Sequence, residues 1–199
     1  MNKKNNTTNV QKLVGTAVLT AIVIILQFLG SFIRFGPFSV SLVLIPIVVG
    51  AAMYGVAAGA WLGFVFGLVV LLSGDAAAFL AVNVPGTILT VLLKGTLAGL
   101  CAAVVYRLFS KINGFFATVA AAVICPVVNT GIFIIGCHLF FMETISGWAE
   151  AAGFKNAGAF IIVGMIGLNF VFELLINVIL SPVIVRILRI IKKPSQETA

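Results

Sequence analysis

The chain has 199 residues, 62% of them hydrophobic and 9% charged, with a net charge of +7. A soluble domain is about 45–50% apolar, so this chain has too few polar residues to cover a soluble fold, and its composition favours one integral membrane domain. The basic residues lie at the ends of apolar segments, where they contact lipid headgroups and fix topology, and they form no stripe of the kind that binds nucleic acid.

Six apolar helices are predicted in chain order, which makes the chain an all-α integral membrane protein. Leu13–Ile33 is one run long enough to span a bilayer core of about 30 Å. Leu42–Leu72 is too long for one ordinary span, and the turn signal at 53–55 divides it into two short or tilted helices. The other three predicted helices are Thr87–Phe109, Phe115–Phe141 with Pro126 inside it, and Ala159–Ile191 with Pro182 near its end.

The positions of the basic residues predict the topology. They lie before the first span, between the fourth and fifth spans, and after the sixth: Lys3, Lys4 and Lys12, then Arg107 and Lys111, then Arg186, Arg189, Lys192 and Lys193. The positive-inside rule places all three groups in the cytoplasm, and six spans also put both termini on one side. We therefore expect tails at 1–12 and 192–199 in the cytoplasm, one membrane domain at 13–191, and outer connections at 34–41, 73–86 and 142–158.

Polar side chains inside the apolar spans are costly and therefore informative. Lys94 lies about two turns into the fourth helix from its outer end. Glu173 on the sixth helix shares one face with Asn169 and Asn177, at i−4 and i+4, and Asn129 lies mid-way along the fifth. These groups form either an internal ion pair with interhelical amide hydrogen bonds, or a polar cavity open to the outside, and the two interpretations are compatible.

Small residues recur at a spacing of four. The longest series is Gly55, Gly59, Gly63 and Gly67, and this spacing lets helix backbones approach closely in lipid. Ala17 and Ala21 repeat the spacing once on the first helix. Internal packing is the default interpretation of both patterns, and a docking face for another membrane protein is the alternative for the alanine pair.

Catalytic and metal-binding patterns are missing from the sequence. It contains no G-x-x-x-x-G-K-[ST], H-E-x-x-H or G-x-S-x-G pattern, and one histidine and five acidic residues leave little material for catalysis. The cysteines lack ligand spacing. We therefore expect no enzyme activity, no cofactor and no bound metal, and any uphill transport must draw its energy from an ion gradient or a partner.

Two motifs carry a family resemblance. Ala17-Val-Leu-Thr-Ala21 is the first, and the second runs from Leu44 to Gly59, with Val56 where many relatives have proline. Together with the size and the six predicted helices, they make the chain from about Lys12 to Lys193 resemble the substrate-binding S components of energy-coupling factor (ECF) vitamin transporters. The resemblance implies a protein that binds a vitamin from outside, while a membrane coupling subunit and two ATPase subunits supply the energy. It also implies that Ala17 and Ala21 dock that coupling subunit.

The runs 74–83 and 86–95 most resemble the pantothenate-type members of this family. Pantothenate is an anion with amide and hydroxyl groups, so a buried lysine suits its carboxylate and asparagines suit its amide. The polar positions in and between the spans then give a set of candidate site residues for such a ligand: Lys94 for the carboxylate, Asn129, Asn169 and His138 as hydrogen-bonding partners, Asn83 and Trp148 closing the pocket from the outer connections, and Glu173 holding Lys94 when the site is empty.

The alternative function is a stand-alone secondary transporter or channel for a small solute, and a membrane enzyme is the third reading. All three place the chain in the lipid bilayer as a multi-pass protein, and the resemblance implies the bacterial plasma membrane.

Overall fold

The computed structural model describes residues 3–31, 34–35, 38–39 and 42–192. Almost all of these residues are helical, and a two-residue antiparallel strand pair is the exception. The elements are α1 (Lys3–Gly30), β1 (Arg34–Phe35), β2 (Phe38–Ser39), α2 (Leu44–Tyr54), α3 (Val56–Leu72), α4 (Ala77–Leu80), α5 (Val84–Phe109), α6 (Gly114–Phe140), α7 (Met142–Ala151), α8 (Ala157–Ala159), a π-helical segment (Phe160–Ile166) and α9 (Gly167–Lys192).

Four helical stretches in the described residues are long and apolar enough to cross a membrane: Asn9–Gly30, Val84–Phe109, Gly114–Phe140 and Ala157–Ile187. The helices α2 and α3 are apolar but have 11 and 17 residues. At about 1.5 Å per residue they reach about 16 and 25 Å, less than a bilayer core of about 30 Å. The all-helical membrane fold is therefore confirmed, whereas six crossings and two cytoplasmic termini stay predictions.

The predicted division of the second apolar run is confirmed at Gly55. Its φ of 93° ends α2, and α3 starts at the next residue. This left-handed conformation favours glycine because it has no Cβ. A Cβ built on Gly55 would meet nothing within 4 Å, so this residue sets the backbone turn and does not belong to the glycine face that follows it.

The glycine face of α3 packs against α5, as its spacing predicts. A Cβ on Gly63 would collide with the carbonyl oxygen of Gly95, and a Cβ on Gly95 would collide with that of Gly63. Gly59 and Gly99 form the same reciprocal pair one turn away. The two backbones are in direct contact, which only residues without side chains allow.

An apolar core fills the space between α2, α3, α5 and α6, and it includes Leu44, Ile47, Leu62, Phe66 and Ala98. Of the four long stretches, Val84–Phe109 is the most buried and Asn9–Gly30 the least. The bundle therefore has α5 near its centre and α1 at its edge.

Several helix boundaries differ from the predicted ones. The first helix begins at Lys3 where Leu13 was predicted, and α9 includes Lys192, whereas 193–199 lie outside the described residues. The division into two tails and one membrane domain stays a prediction. The predicted connections at 73–86 and 142–158 contain α4, α7 and α8. The last predicted helix, Ala159–Ile191, is interrupted by the π-helical segment, which carries no clear signal in the sequence.

Candidate ligand-binding cavity

A cavity of about 100 Å³ lies between α1, α3, α5, α6, the π-helical segment and α9, with the turn before α4 at its edge. One water needs about 10–15 Å³ on this scale, so the space holds several waters or part of a small solute. The turn belongs to the predicted outer connection, so the cavity lies towards the predicted outside. Seven of the lining side chains are polar: Gln27, Asp75, Lys94, Asn129, Thr130, Asn169 and Glu173.

Lys94 is the basic side chain among these seven. Its Nζ lies 5.6 Å from the ring centroid of Phe66 and 5.6 Å from that of Phe133. Aromatic faces at this distance stabilise a cation by about 0.5–2 kcal/mol, more where water is excluded. The two rings thus flank the ammonium group of Lys94 where it meets the cavity.

Two carboxylates share the cavity with Lys94. Glu173 and Asp75 both line it, and the charge of each acts on the lysine. Gln27 of α1 is 2% exposed, and its Nε2 donates a hydrogen bond of 2.6 Å to Oδ2 of Asp75. The side chains of three elements far apart in the sequence, α1, the turn before α4 and α9, thus meet around the lysine of α5.

Two amide groups face the cavity with unused hydrogen-bonding capacity. Asn129 is 6% exposed and Asn169 is 8% exposed, and the Oδ1 atom of each accepts no hydrogen bond from any described residue. A buried acceptor without a donor costs about 1–3 kcal/mol. A bound molecule with N–H or O–H groups would recover this free energy, which makes the two oxygens the clearest sign of a ligand site.

Asn177 was predicted to lie on the same helix face as Asn169 and Glu173, but its side chain has a different role. Its Nδ2 donates to the carbonyl oxygen of Ala122 at 2.9 Å, and its Oδ1 accepts from the hydroxyl of Ser181 at 2.8 Å. The first bond ties α9 to α6, and the second lies within α9. The predicted interhelical amide hydrogen bond is therefore present here.

Three predicted site residues do not reach the cavity. His138 is exposed, and its Nδ1 is 3.2 Å from the carbonyl oxygen of Ile134 one turn earlier. Asn83 caps α5, because its Oδ1 accepts from the backbone N–H of Gly86 at 2.9 Å. Neither residue lines this cavity. His138 follows Asn129 by nine residues, which is about half a helical rotation away.

Trp148 is the third of these residues, and it packs against Phe79, a ring that lines the cavity. Its ring lies 5.6 Å from that of Phe79, which lines the cavity. Phe79 also contacts Phe133 at 5.7 Å and Phe141 at 4.9 Å, all in edge-to-face geometry. The helices α4 and α7 therefore cover the cavity with a layer of aromatic rings, and Trp148 is in the outer part of that layer.

Gln27 and Asp75 were missed at the sequence level, although each carries a signal. Asp75 is the first acidic residue in the chain, and Gln27 is the one amide side chain in the first apolar run. Neither signal indicates that the two residues meet. They are 48 positions apart, and only the packing of α1 against α3 brings them together.

The alanine pair on α1 faces outward. Ala17 and Ala21 are exposed, as are Val14 and Val18 beside them. Internal packing of the two alanines is therefore not observed. On the neighbouring face, Nε1 of Trp61 in α3 lies 3.1 Å from Oγ1 of Thr20 and fixes α1 to the bundle.

A second cavity of about 420 Å³ lies at the opposite end of the bundle, between the start of α6 and the end of α9. It is larger, but its lining is apolar except for Thr118 and Arg186, and Arg186 is exposed. The smaller cavity has the buried charges and the unpaired amide oxygens, so it is the candidate ligand site. Among the described residues, no group of three or more histidine, cysteine or acidic side chains is placed to hold a metal ion.

Comparison with known families gives one match. The family model described as "ECF transporter, substrate-specific component" matches residues 11–185. That range includes every polar residue of the cavity and the outward-facing alanine pair. No curated protein matches the chain.

Proposed function

The chain belongs to the substrate-specific components of ECF transporters, which bind a transported solute and are not an enzyme family. We propose that it captures pantothenate outside the cell and delivers it through an ATP-driven partner complex. The observation that carries the choice of ligand is the combination of a cation and two unpaired amide acceptors in one cavity. Pantothenate has a carboxylate for the first, and an amide N–H and hydroxyl groups for the second.

The contacts proposed for the ligand follow from this chemistry. The carboxylate pairs with Nζ of Lys94, and the amide and hydroxyl donors satisfy Oδ1 of Asn129 and of Asn169. Glu173 holds Lys94 when the site is empty. The rings of Phe79 and Trp148 exclude water from the loaded site, which strengthens the polar contacts inside it.

The partners proposed are a membrane coupling subunit and two ATPase subunits. The sequence has no P-loop, so ATP hydrolysis must come from other chains. The exposed faces of Ala17 and Ala21 support docking on α1, because small side chains let a partner helix approach closely. Uptake by this chain alone, driven by an ion gradient in vesicles, would instead favour the stand-alone transporter.

The membrane arrangement proposed is a multi-pass protein of the bacterial plasma membrane with both termini in the cytoplasm. Six crossings require α2 and α3 to act as short spans. A cysteine introduced in place of Lys155 should react with a membrane-impermeant thiol reagent on intact cells, whereas Lys3→Cys and Lys193→Cys should not. Labelling of either terminus from outside would overturn this arrangement.

Calorimetric titration of the purified protein tests the ligand. We expect pantothenate to bind and riboflavin, folate and thiamine not to bind. Lys94→Ala should weaken pantothenate binding by about 2–5 kcal/mol, mostly because the ligand carboxylate is left unpaired. Lys111→Ala is the matched control, since Lys111 is exposed in the connection after α5. No measurable pantothenate binding, or equal affinity for Lys94→Ala and the wild type, would refute the assignment.

A further inference from the structure

The cavity contains more negative than positive charge before any ligand enters. Its charged lining residues are Lys94, Asp75 and Glu173, so one cation faces two carboxylates. Both carboxylates act on the lysine, which makes the three groups one electrostatic unit. An anionic ligand that pairs with Lys94 therefore adds a third negative charge to a single positive one.

We propose that the cavity takes up its anionic ligand together with one proton, and that Glu173 binds this proton. The proposal rests on the proposed function, because it assumes that the ligand is an anion. In the uptake step the ligand carboxylate pairs with Lys94 while a hydronium ion from the solution transfers one proton to the Glu173 carboxylate. One O–H bond of the hydronium ion breaks, one O–H bond forms on Glu173, and water is left. No other bond changes, and the formal charge of the occupied cavity equals that of the empty one.

Glu173 is the carboxylate that the proposal assigns to the proton, because it lies deeper in the bundle than Asp75. Asp75 lies in a turn beside the cavity, and its Oδ2 accepts a hydrogen bond of 2.6 Å from Nε2 of Gln27. Glu173 is 9% exposed and lies within a stretch long and apolar enough to span the membrane. Loss of its counter-charge is therefore costly in a medium that screens charge poorly.

Charged or titratable groups face this acid from three other elements. Lys94 comes from α5, Asp75 from the turn before α4, and the thiol of Cys125 from α6. The element α1 contributes the neutral amide of Gln27, and α3 contributes only apolar side chains to the cavity. One turn before Glu173 on the same face, Oδ1 of Asn169 lacks a hydrogen-bond donor, and a protonated carboxyl group has one to give.

Titration calorimetry with pantothenate in two buffers of different ionisation enthalpy, at the same pH, measures the protons taken up on binding. The wild type should take up about one proton per ligand near neutral pH, and its affinity should fall as the pH rises. Glu173→Gln should bind with almost no proton uptake and with little pH dependence. Binding of pantothenate by the wild type without proton uptake, or with proton release, would overturn the proposal.

A second measurement decides the inference without any ligand. Lys94→Met removes the cation from the empty cavity and leaves the same excess of negative charge that an anion would produce. Infrared spectroscopy should then show the C=O band of a protonated carboxyl group, and the band should vanish in Lys94→Met/Glu173→Gln but persist in Lys94→Met/Glu150→Gln, because Glu150 is exposed on α7. The amide bands report whether each variant is folded.

The two measurements separate the possible failures. If pantothenate does not bind but the infrared band appears and depends on Glu173, then the vitamin assignment is wrong and the proton site stands. If pantothenate binds but the band is missing in a folded Lys94→Met protein, then the proton site is wrong and the vitamin assignment stands.

Discussion

Two neighbouring residues of α5 face opposite kinds of surroundings. Gly95 touches the backbone of α3, where a Cβ would collide with the carbonyl of Gly63. Lys94, one position earlier, extends into a cavity between the rings of Phe66 and Phe133. One side of the helix leaves no room for a side chain, whereas the other side has charges, amide groups and empty space.

The difference shows how the close helix contact that stabilises the fold is separated from the polar groups that line the cavity. The unpaired oxygens of Asn129 and Asn169 cost about 1–3 kcal/mol each while the site is empty. The dry contact between α3 and α5, together with the apolar core around it, offsets that cost. Substitutions on the two sides should therefore have opposite effects on the stability of the empty protein.

The largest expected effect on stability comes from adding a side chain where α5 packs directly against α3. Gly95→Leu should lower the free energy of unfolding by about 3 kcal/mol or more, because the new side chain meets backbone that cannot move aside. Heat-induced unfolding in detergent measures the change. Gly131→Leu on α6 is the control, since a Cβ there meets nothing within 4 Å. Equal unfolding temperatures for the two variants would contradict the close contact.

A smaller effect of opposite sign is expected on the cavity side. Asn129→Leu removes a buried acceptor that lacks a donor, so the empty protein should gain up to about 1–3 kcal/mol while pantothenate binding is lost. The matched variant is Asn177→Leu, which breaks two formed hydrogen bonds and should lower stability. If both variants destabilise the empty protein alike, then Oδ1 of Asn129 has a hydrogen-bond donor in the folded protein, and the predicted difference between the two positions is wrong.

The smallest effect on stability is expected at the edge of the bundle. Ala17→Trp should leave the unfolding temperature and ligand binding of the isolated protein nearly unchanged, because Ala17 is exposed. It should nevertheless abolish uptake in cells, since the large side chain keeps a partner helix away. Val127→Trp, an exposed position on α6, is the control. Normal uptake by Ala17→Trp would exclude this face as the docking surface.

The sequence was sufficient for the residues whose positions depend on helical periodicity alone. Lys94, Asn129, Asn169 and Glu173 line one cavity, as their depth in the apolar spans indicates. His138 was misplaced because proximity to the end of a helix says nothing about which face a residue occupies.

Contacts between distant elements could not be read from periodicity. The hydrogen bond from Gln27 to Asp75 joins α1 to a turn after α3, and no local pattern encodes it. Asn83 was expected to close the pocket from an outer connection, whereas its side chain caps α5, a position for which asparagine is preferred. The π-helical segment also escaped prediction, because its composition matches that of the helix around it.

The reciprocal glycine contacts also have a mechanical consequence. Gly59 and Gly63 engage Gly99 and Gly95 at two points one turn apart, and each contact is backbone against backbone. No side chain lies between the two helices at these contacts, so no change of rotamer can let them slide past each other. We therefore expect α3 and α5 to move as one rigid unit. Entry of a solute must then be accommodated by the cavity walls that lie outside this helix pair, which are α1, the turn with Asp75, α6, the π-helical segment and α9.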